Sequence, residues 1–341
     1  MDFLVLHEFP SSDVEKSWRD FLARAEFPAH YDSPEYFLVP LWEGRSPFAV
    51  LALEGSCVRG VLTGIHDGNA VSCGVASRPQ ICVDPNADQP QVLQTLAKGL
   101  LNEASSAELV TVFSWKTLPL PAFADYGFRP RELQGSVVLN LTLGPDELFK
   151  QFPKDRRRNI RFAEKNGIEV SLATEQDLPN AFAVHNAWHH TERKVVKGEA
   201  VSYETFVRSS KLANRRMFVA RVEGKIVAIN IFRFCPKGLF ESAANNSLDE
   251  YLHLKPNDLL QWRGIEWACS QGLRRHSLGG AHPFLRRFGG TVIPIVRYRL
   301  DRTALHRHDL RERVADMSRD ALRRMPPAVG KRVRRLLGKD Q

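Results

Sequence analysis

The chain has 341 residues, 43% of them hydrophobic and 26% charged, and a formal net charge of +9. This composition excludes a disordered chain, and the length exceeds one ordinary compact domain and suits two. Residues 301–341 hold 12 Lys/Arg against 6 Asp/Glu. The basic excess therefore sits mostly in the C-terminal segment and does not describe a surface coated for nucleic acid; no DNA partner is expected.

The opening stretch, MDFLVLHEFP, reads as a first strand and not as a signal peptide. No apolar run approaches the roughly 20 residues that span a bilayer. Cys57, Cys73, Cys82, Cys235 and Cys269 are scattered and odd in number, with no Cys-x-x-Cys pair. That fits a reducing compartment and gives no metal motif. A cytoplasmic protein is expected.

Pro47 to Gly68 predicts a hairpin with its turn at Glu54-Gly55. A helix over PQVLQTLAKGLLNEA, a short strand at ELVTVF and a closing strand in YGFRPRELQGSVVLNLTL follow. Gly144-Pro145 then breaks the strand. The second half repeats this order. Met217 to Gly238 predicts a hairpin turning at Glu223-Gly224, and NDLLQWRGIEWACSQG a helix with Leu259, Trp262, Ile265 and Trp267 apolar and Gly272 as its stop. A strand in RRHSLGG and a last strand in RFGGTVIPIVRYRL complete it. Five elements in the same order twice predict a tandem duplication of one α+β unit, over residues 1–144 and 145–301.

Between the halves, KDRRRNIRFAEKNGIEV predicts a helix after Pro153 that stops at Gly167. Arg157, Arg161 and Lys165 share one face, with Arg158 beside them, while Ile160 and Ala163 turn inward. Cations at a helix N-terminus oppose its dipole, so this cluster reads either as an anion site, ideally for phosphate, or as a solvated basic face. HNAWHHTERK offers His189, His190 and Glu192 as groups able to take an amine proton, at no metal spacing. Glu241, Asn245 and Asn246 follow the second hairpin as candidate cleft residues. In LKPNDLL, Asn257 or Asp258 reads as a helix cap, in a helix start able to aim backbone donors at a ligand. The tail, 302–341, steps Leu310, Val314, Met317 and Ala321 along one face. After Pro326-Pro327, Val329, Val333 and Leu336 form a second stripe among Lys331, Arg332, Arg334 and Arg335. This basic amphipathic helical segment suits an anionic membrane surface, RNA, or docking on the body.

KDRRRNIRFAEKNGIEV, LKPNDLLQWRGIEWACSQGLRRHSLGGA and RRFGGTVIPIVRY, in this order, resemble the Fem-type branch of the GNAT acyltransferase superfamily. The likeness covers about residues 145–300, and reaches the first half through HYDSPEYF (His30 to Phe37) and the repeated order. It implies an α/β (α+β) protein: two tandem GNAT-like domains, each with a mixed, mostly antiparallel sheet, and substrate in the cleft between them. It also implies transfer of an acyl or aminoacyl group to an amine acceptor, in cell-envelope or polysaccharide metabolism. The donor would be acyl-CoA or aminoacyl-tRNA, with tRNA then a partner and no permanently bound cofactor. By resemblance, Arg157, Arg158 and Arg161 hold a phosphate-bearing substrate. HPFLRRFGG matches a family segment reading Phe-Lys-x-x-Phe-Gly, which assigns Phe284 to the site and places Leu285 where a lysine is expected, with Arg286 or Arg287 as nearby charge. No glycines of a coenzyme A pyrophosphate loop occur between Tyr251 and Leu260. Two alternatives thus stand beside the main reading: an acyl-CoA-dependent N-acetyltransferase, and a non-catalytic GNAT-fold binding protein recruited by its tail; peripheral contact at the inner membrane surface through residues 302–341 is an expectation open to each reading.

Overall fold

A computed structural model describes residues 1–42, 44–74, 78–190, 201–281 and 283–324. The first half supplies β1 (Asp2–Leu6), α1 (Ser12–Leu22), β2 (Ser46–Glu54), β3 (Cys57–Asp67), β4 (Ala70–Cys73), β5 (Ile81–Val83), α2 (Gln89–Glu103), β6 (Leu109–Trp115), α3 (Pro121–Ala124) and β7 (Arg129–Asn140). The second supplies α4 (Pro145–Gln151), α5 (Lys154–Lys165), β8 (Glu169–Leu172), α6 (Leu178–His189), α7 (Tyr203–Ser210), β9 (Arg215–Val222), β10 (Lys225–Phe234) and β11 (Leu239–Ser247). It continues with α8 (Pro256–Ser270), β12 (Arg275–Ser277), α9 (Pro283–Arg286), β13 (Thr291–Asp301) and α10 (Arg307–Arg324). The repeated order predicted from sequence is present. The second hairpin turns at its Glu-Gly pair, with Glu223 and Gly224 at φ 50° and 79°, the two left-handed positions that match the twist of adjoining strands, whereas the first turns one residue later, at Gly55-Ser56, because Glu54 still pairs with Cys57.

The strands form one mixed sheet in the order β1-β2-β3-β4-β6-β13-β7-β12-β11-β10-β9-β8, with β5 beside β3. The closing strands of the two halves are exchanged. β13 pairs with β6 of the first half, β7 pairs with β12 of the second, and the two exchanged strands pair with each other from Thr291↔Val138 to Arg299↔Arg129. One apolar cluster packs α2 and α3 on the first half of the sheet, and another packs α4, α5 and α8 on the second. A third, with Phe27, Phe113, Trp115, Val138, Leu239 and Ile295, lies where the halves meet.

α8 is enclosed on most of its circumference, with Leu259, Leu260, Trp262, Ile265 and Ala268 buried. It crosses β10 at Gly264, where a Cβ would overlap the Phe232 ring. HYDSPEYF is buried at the junction of the halves. Trp18 Nε1 donates to the Asp32 carbonyl (2.7 Å), Asn214 Nδ2 to the His30 carbonyl (3.2 Å), and Arg233 Nη1 to the Tyr31 hydroxyl (2.9 Å). Among the described residues, no helix is long and apolar enough to cross a membrane.

Candidate active site

β11 and β12 run parallel for three residue pairs, Leu239↔Arg275, Phe240↔His276 and Glu241↔Ser277, and then part. β11 continues along β10 to Ser247, and the chain leaves β12 after Ser277. A bulge helps the parting. Ile231 faces Ala244 and Phe232 faces Ser242, so Ala243 is the extra residue without a cross-strand partner. In the first half, just past β4, the Phe113 ring lies close against Gly74, where a Cβ would overlap it.

Two pockets open from this fork. The larger, of about 610 Å³, is walled by Ser242–Asn245 of β11, Lys255–Asp258 and Gln261 at the start of α8, Arg156 and Asn159 of α5, Leu278, Gly279, Leu285, Phe288 and Arg78. The smaller, of about 200 Å³, has Trp115, Leu133, Leu239 and Ile295 as apolar walls and Gln134, Ser136, Ser277 and Glu241 as polar ones. Arg78 and Gly279 line both. The partition is an ion pair between the halves: Arg78 Nε donates to Glu241 Oε1 at 2.6 Å. Glu241 is 3% exposed, and its carboxylate pushes Arg78 above the ordinary guanidinium range. Glu241 Oε2 lies 3.6 Å from His30 Nδ1. Burial, with Arg215, Arg233 and Arg78 nearby, pushes His30 well below the usual imidazole range, so this imidazole is neutral at pH 7.

Behind the larger pocket runs a buried polar chain. Ser242 Oγ donates to Asn230 Oδ1 (3.1 Å), Asn230 Nδ2 to Gln261 Oε1 (3.1 Å), and Gln261 Nε2 meets His276 Nε2 (2.5 Å). His276 Nδ1 meets the Phe240 carbonyl at 2.9 Å. That carbonyl accepts only, so the proton is on Nδ1 and Nε2 accepts from Gln261. Burial lowers His276 to about 4, which keeps it neutral. Asn245 Oδ1 and Asn257 Oδ1 are buried without hydrogen-bond partners, two acceptors on the pocket wall for a ligand's N–H or O–H groups.

The basic cluster lies elsewhere. Arg157, Arg158 and Arg161, with Lys154, Phe162 and Lys165, line a separate hollow of about 490 Å³ on the other side of α5. The expectation that they face the cleft is corrected. The residue that reaches it is Arg156, which pairs with Asp258 and lies 4.4 Å from the centre of the Phe288 ring. Asn159 Nδ2 donates to the other Asp258 oxygen at 3.1 Å. The reason is helical phase: Arg156, Ile160 and Ala163 stand at i, i+4 and i+7, and the last two are in the core. Extending that apolar stripe back one turn finds Arg156, a signal present in the sequence.

Asn257 and Asp258 do line the larger pocket, but neither caps α8. The cap position is Lys255, left-handed at φ 63°, followed by Pro256, which has no N–H to leave unsatisfied. Asp258 is used by Arg156, and Asn257 Nδ2 donates to Ser247 Oγ at 3.1 Å. Leu285 lines the pocket where the resemblance expects a lysine. Arg286 lines neither pocket and donates from Nε to the Ala281 carbonyl at 2.7 Å. Phe284 belongs to α9, and its side chain lies outside the described residues, as does Glu192. His189 and His190 end α6 and line neither pocket. The His189 ring contacts His185 (4.5 Å between centres), and His190 Nδ1 meets the Asn186 carbonyl at 2.8 Å. Arg78, Asn230, Gln261 and His276 carry no local motif. They meet only because the fold brings together strands and loops distant in sequence.

Residues 150–286 match the family model of the acetyltransferase (GNAT) domain. No curated protein matches the chain in sequence. In structure, FemX is similar at 11% identity over 88% of this chain and 97% of that one, with a TM-score of 0.68. The C-terminal domain (DUF2156) of a lysylphosphatidylglycerol synthetase from Agrobacterium fabrum is similar at 14% identity, 86% and 93% coverage and a TM-score of 0.59. A tandem GNAT protein from the clavulanic acid biosynthesis pathway is similar at 13% identity, 89% and 99% coverage and a TM-score of 0.53. Residues 150–286 thus match a GNAT acetyltransferase domain, and with its forked β11/β12 pair and doubled sheet the chain has the fold that FemX shows.

Proposed function

We propose that the larger pocket holds an activated acyl or aminoacyl donor through a phosphate-bearing portion, and that the smaller pocket holds the amine acceptor. The observation that carries this reading is the fork itself, with two pockets meeting at Arg78 and Gly279 and with Glu241, on the wall of the smaller one, paired to Arg78. Lys255 and the positive end of the α8 dipole favour an anion at the mouth of the larger pocket. The donor carbonyl sits beside β11, where the backbone around the Ala243 bulge supplies donors for the tetrahedral oxyanion. The amine attacks from the smaller pocket, its proton passes to the Glu241 carboxylate, and collapse expels the donor's leaving group. Alignment of two bound reactants supplies the rest of the acceleration. Residues 145–301 carry the chemistry in this reading, and residues 1–144 contribute Arg78 and one wall of the smaller pocket.

Leu285, an apolar residue at the position expected to carry the lysine, argues against aminoacyl-tRNA, and the absence of glycines between Tyr251 and Leu260 argues against the usual coenzyme A loop, so both donors enter the test. The folds shared with FemX and a lysylphosphatidylglycerol synthetase domain support an acceptor in cell-envelope metabolism, met on the cytoplasmic side. The test is single-turnover transfer from acyl-CoA and aminoacyl-tRNA to a panel of amines. Glu241→Gln should lower the transfer rate about 10²–10⁴-fold, with donor binding unchanged. A Glu241→Gln enzyme with the wild-type rate would overturn the assignment.

A further inference from the structure

We propose that α10 lies on an anionic lipid bilayer, with Leu310, Val314 and Met317 inserted at its surface. The helix is mounted in an unusual sense. On the sheet face beneath it, the exchanged strands place Arg297 opposite Arg131 and Arg299 opposite Arg129. Like charges in direct register destabilise a sheet unless they are neutralised. α10 supplies the neutralising groups from one stripe, Asp309, Glu312 and Asp316. Glu312 accepts from Arg297 Nη1 and Nη2 at 2.8 and 2.6 Å and from Arg299 Nη1 at 2.6 Å. Arg131 reaches Glu312 at 2.5 Å and Asp316 at 2.7 Å, and Asp309 pairs with Arg299 at 3.3 Å. Asp301 fixes the start of the helix by accepting from the His308 and Asp309 backbone N–H groups.

These pairs set the rotation of α10 about its axis. The polar stripe faces the body, and the apolar stripe at i, i+4 and i+7 faces out: Leu310 is 53% exposed, Val314 55% and Met317 72%. A helix docked for its own burial would be turned the other way. The exposed stripe is flanked by Arg307, Arg311 and Arg313, all exposed, while Asp301, Asp309, Glu312 and Asp316 are turned to the protein. What faces away from the body is therefore apolar and net cationic. That pairing of properties fits a surface with an apolar interior and anionic headgroups. Charge complementarity also argues against a second copy of the same cationic face.

The test is co-sedimentation of the full chain with vesicles of phosphatidylcholine, with and without phosphatidylglycerol. Binding is expected only with phosphatidylglycerol and should be reversed by high salt. The triple variant Leu310→Ser, Val314→Ser, Met317→Ser should bind on the order of ten-fold more weakly with an unchanged melting temperature. Equal binding to neutral vesicles, no binding to either, or full binding by the variant would overturn the proposal. So would a wild-type dimer, seen by light scattering, that the variant converts to monomer, since the stripe would then be covered by a second copy.

Discussion

Arg156 and Arg157 are neighbours in the chain with opposite surroundings. Arg156 is buried against Asp258 and Phe288, and Arg157 lines the outer hollow. Breaking a buried ion pair from one side leaves a charge without its partner, so Arg156→Ala should cost about 3–5 kcal/mol. Arg158→Ala, at an exposed position, should stay within about 0.5 kcal/mol. Urea unfolding of the two variants checks both. The basic run was legible in the sequence as chemistry, and its direction lies in the helical phase, since Arg156 is the arginine that continues the Ile160–Ala163 stripe.

His276 makes a prediction about pH. Its folded value, about 4, lies below the ordinary 6.5. Between those values the unfolded chain binds a proton that the folded chain refuses, so stability is lost as pH falls from 6.5 towards 4, by up to about 1.4 kcal/mol per pH unit. His30, also lowered, acts in the same sense. Asp32 opposes them: burial raises it to about 7, so the folded chain holds its proton and stability falls as pH rises through about 4 to 7. The wild-type slope is the sum of these terms. His276→Gln should remove the His276 part, so the loss of stability on going from pH 7 to pH 5 should be smaller in the variant than in the wild type. Parallel slopes in the two proteins would contradict a neutral buried His276.

At the scale of elements, α8 holds the site in place by fitting closely over β10. Gly264→Ala would gain up to about 1 kcal/mol in helix propensity and lose about 1–3 kcal/mol or more to overlap with Phe232. A lower melting temperature is expected, and Phe232→Leu in the same chain should recover part of it. α8 itself was legible, since Leu259, Trp262 and Ile265 give the helical period and Gly272 the stop. Its true start was not. The left-handed Lys255 looks like an ordinary polar residue, and Asn257 and Asp258 have the side chains usual at a cap. Those side chains are occupied instead by Ser247 and by Arg156, partners that only the folded chain brings near.

At the scale of the whole molecule, the strand exchange ties the halves together. The five elements repeated in order were legible, because hairpin turns and helix periods are local signals. The pairing of β13 with β6 and of β7 with β12 was not legible, since a strand's alternation fixes which face is buried and not which neighbour it chooses. The exchange predicts cooperative unfolding. Calorimetry should show one transition for residues 1–301, and two well-separated transitions would contradict it. The exchange also explains the smaller pocket, whose walls come from β6, β7, β11, β12 and β13 and exist in neither half alone.

The most direct test of the central claim compares two charge reversals on either side of α5. The melting temperature is followed as acyl-CoA, and separately aminoacyl-tRNA, is titrated into wild type, Lys255→Glu and the double variant Arg157→Glu, Arg158→Glu. Whichever donor stabilises the wild type should stabilise the double variant equally, and should bind Lys255→Glu about ten- to a hundred-fold more weakly. The contrary result, donor binding lost with Arg157 and Arg158 and kept without Lys255, would place the donor in the outer hollow of α5 and contradict the account.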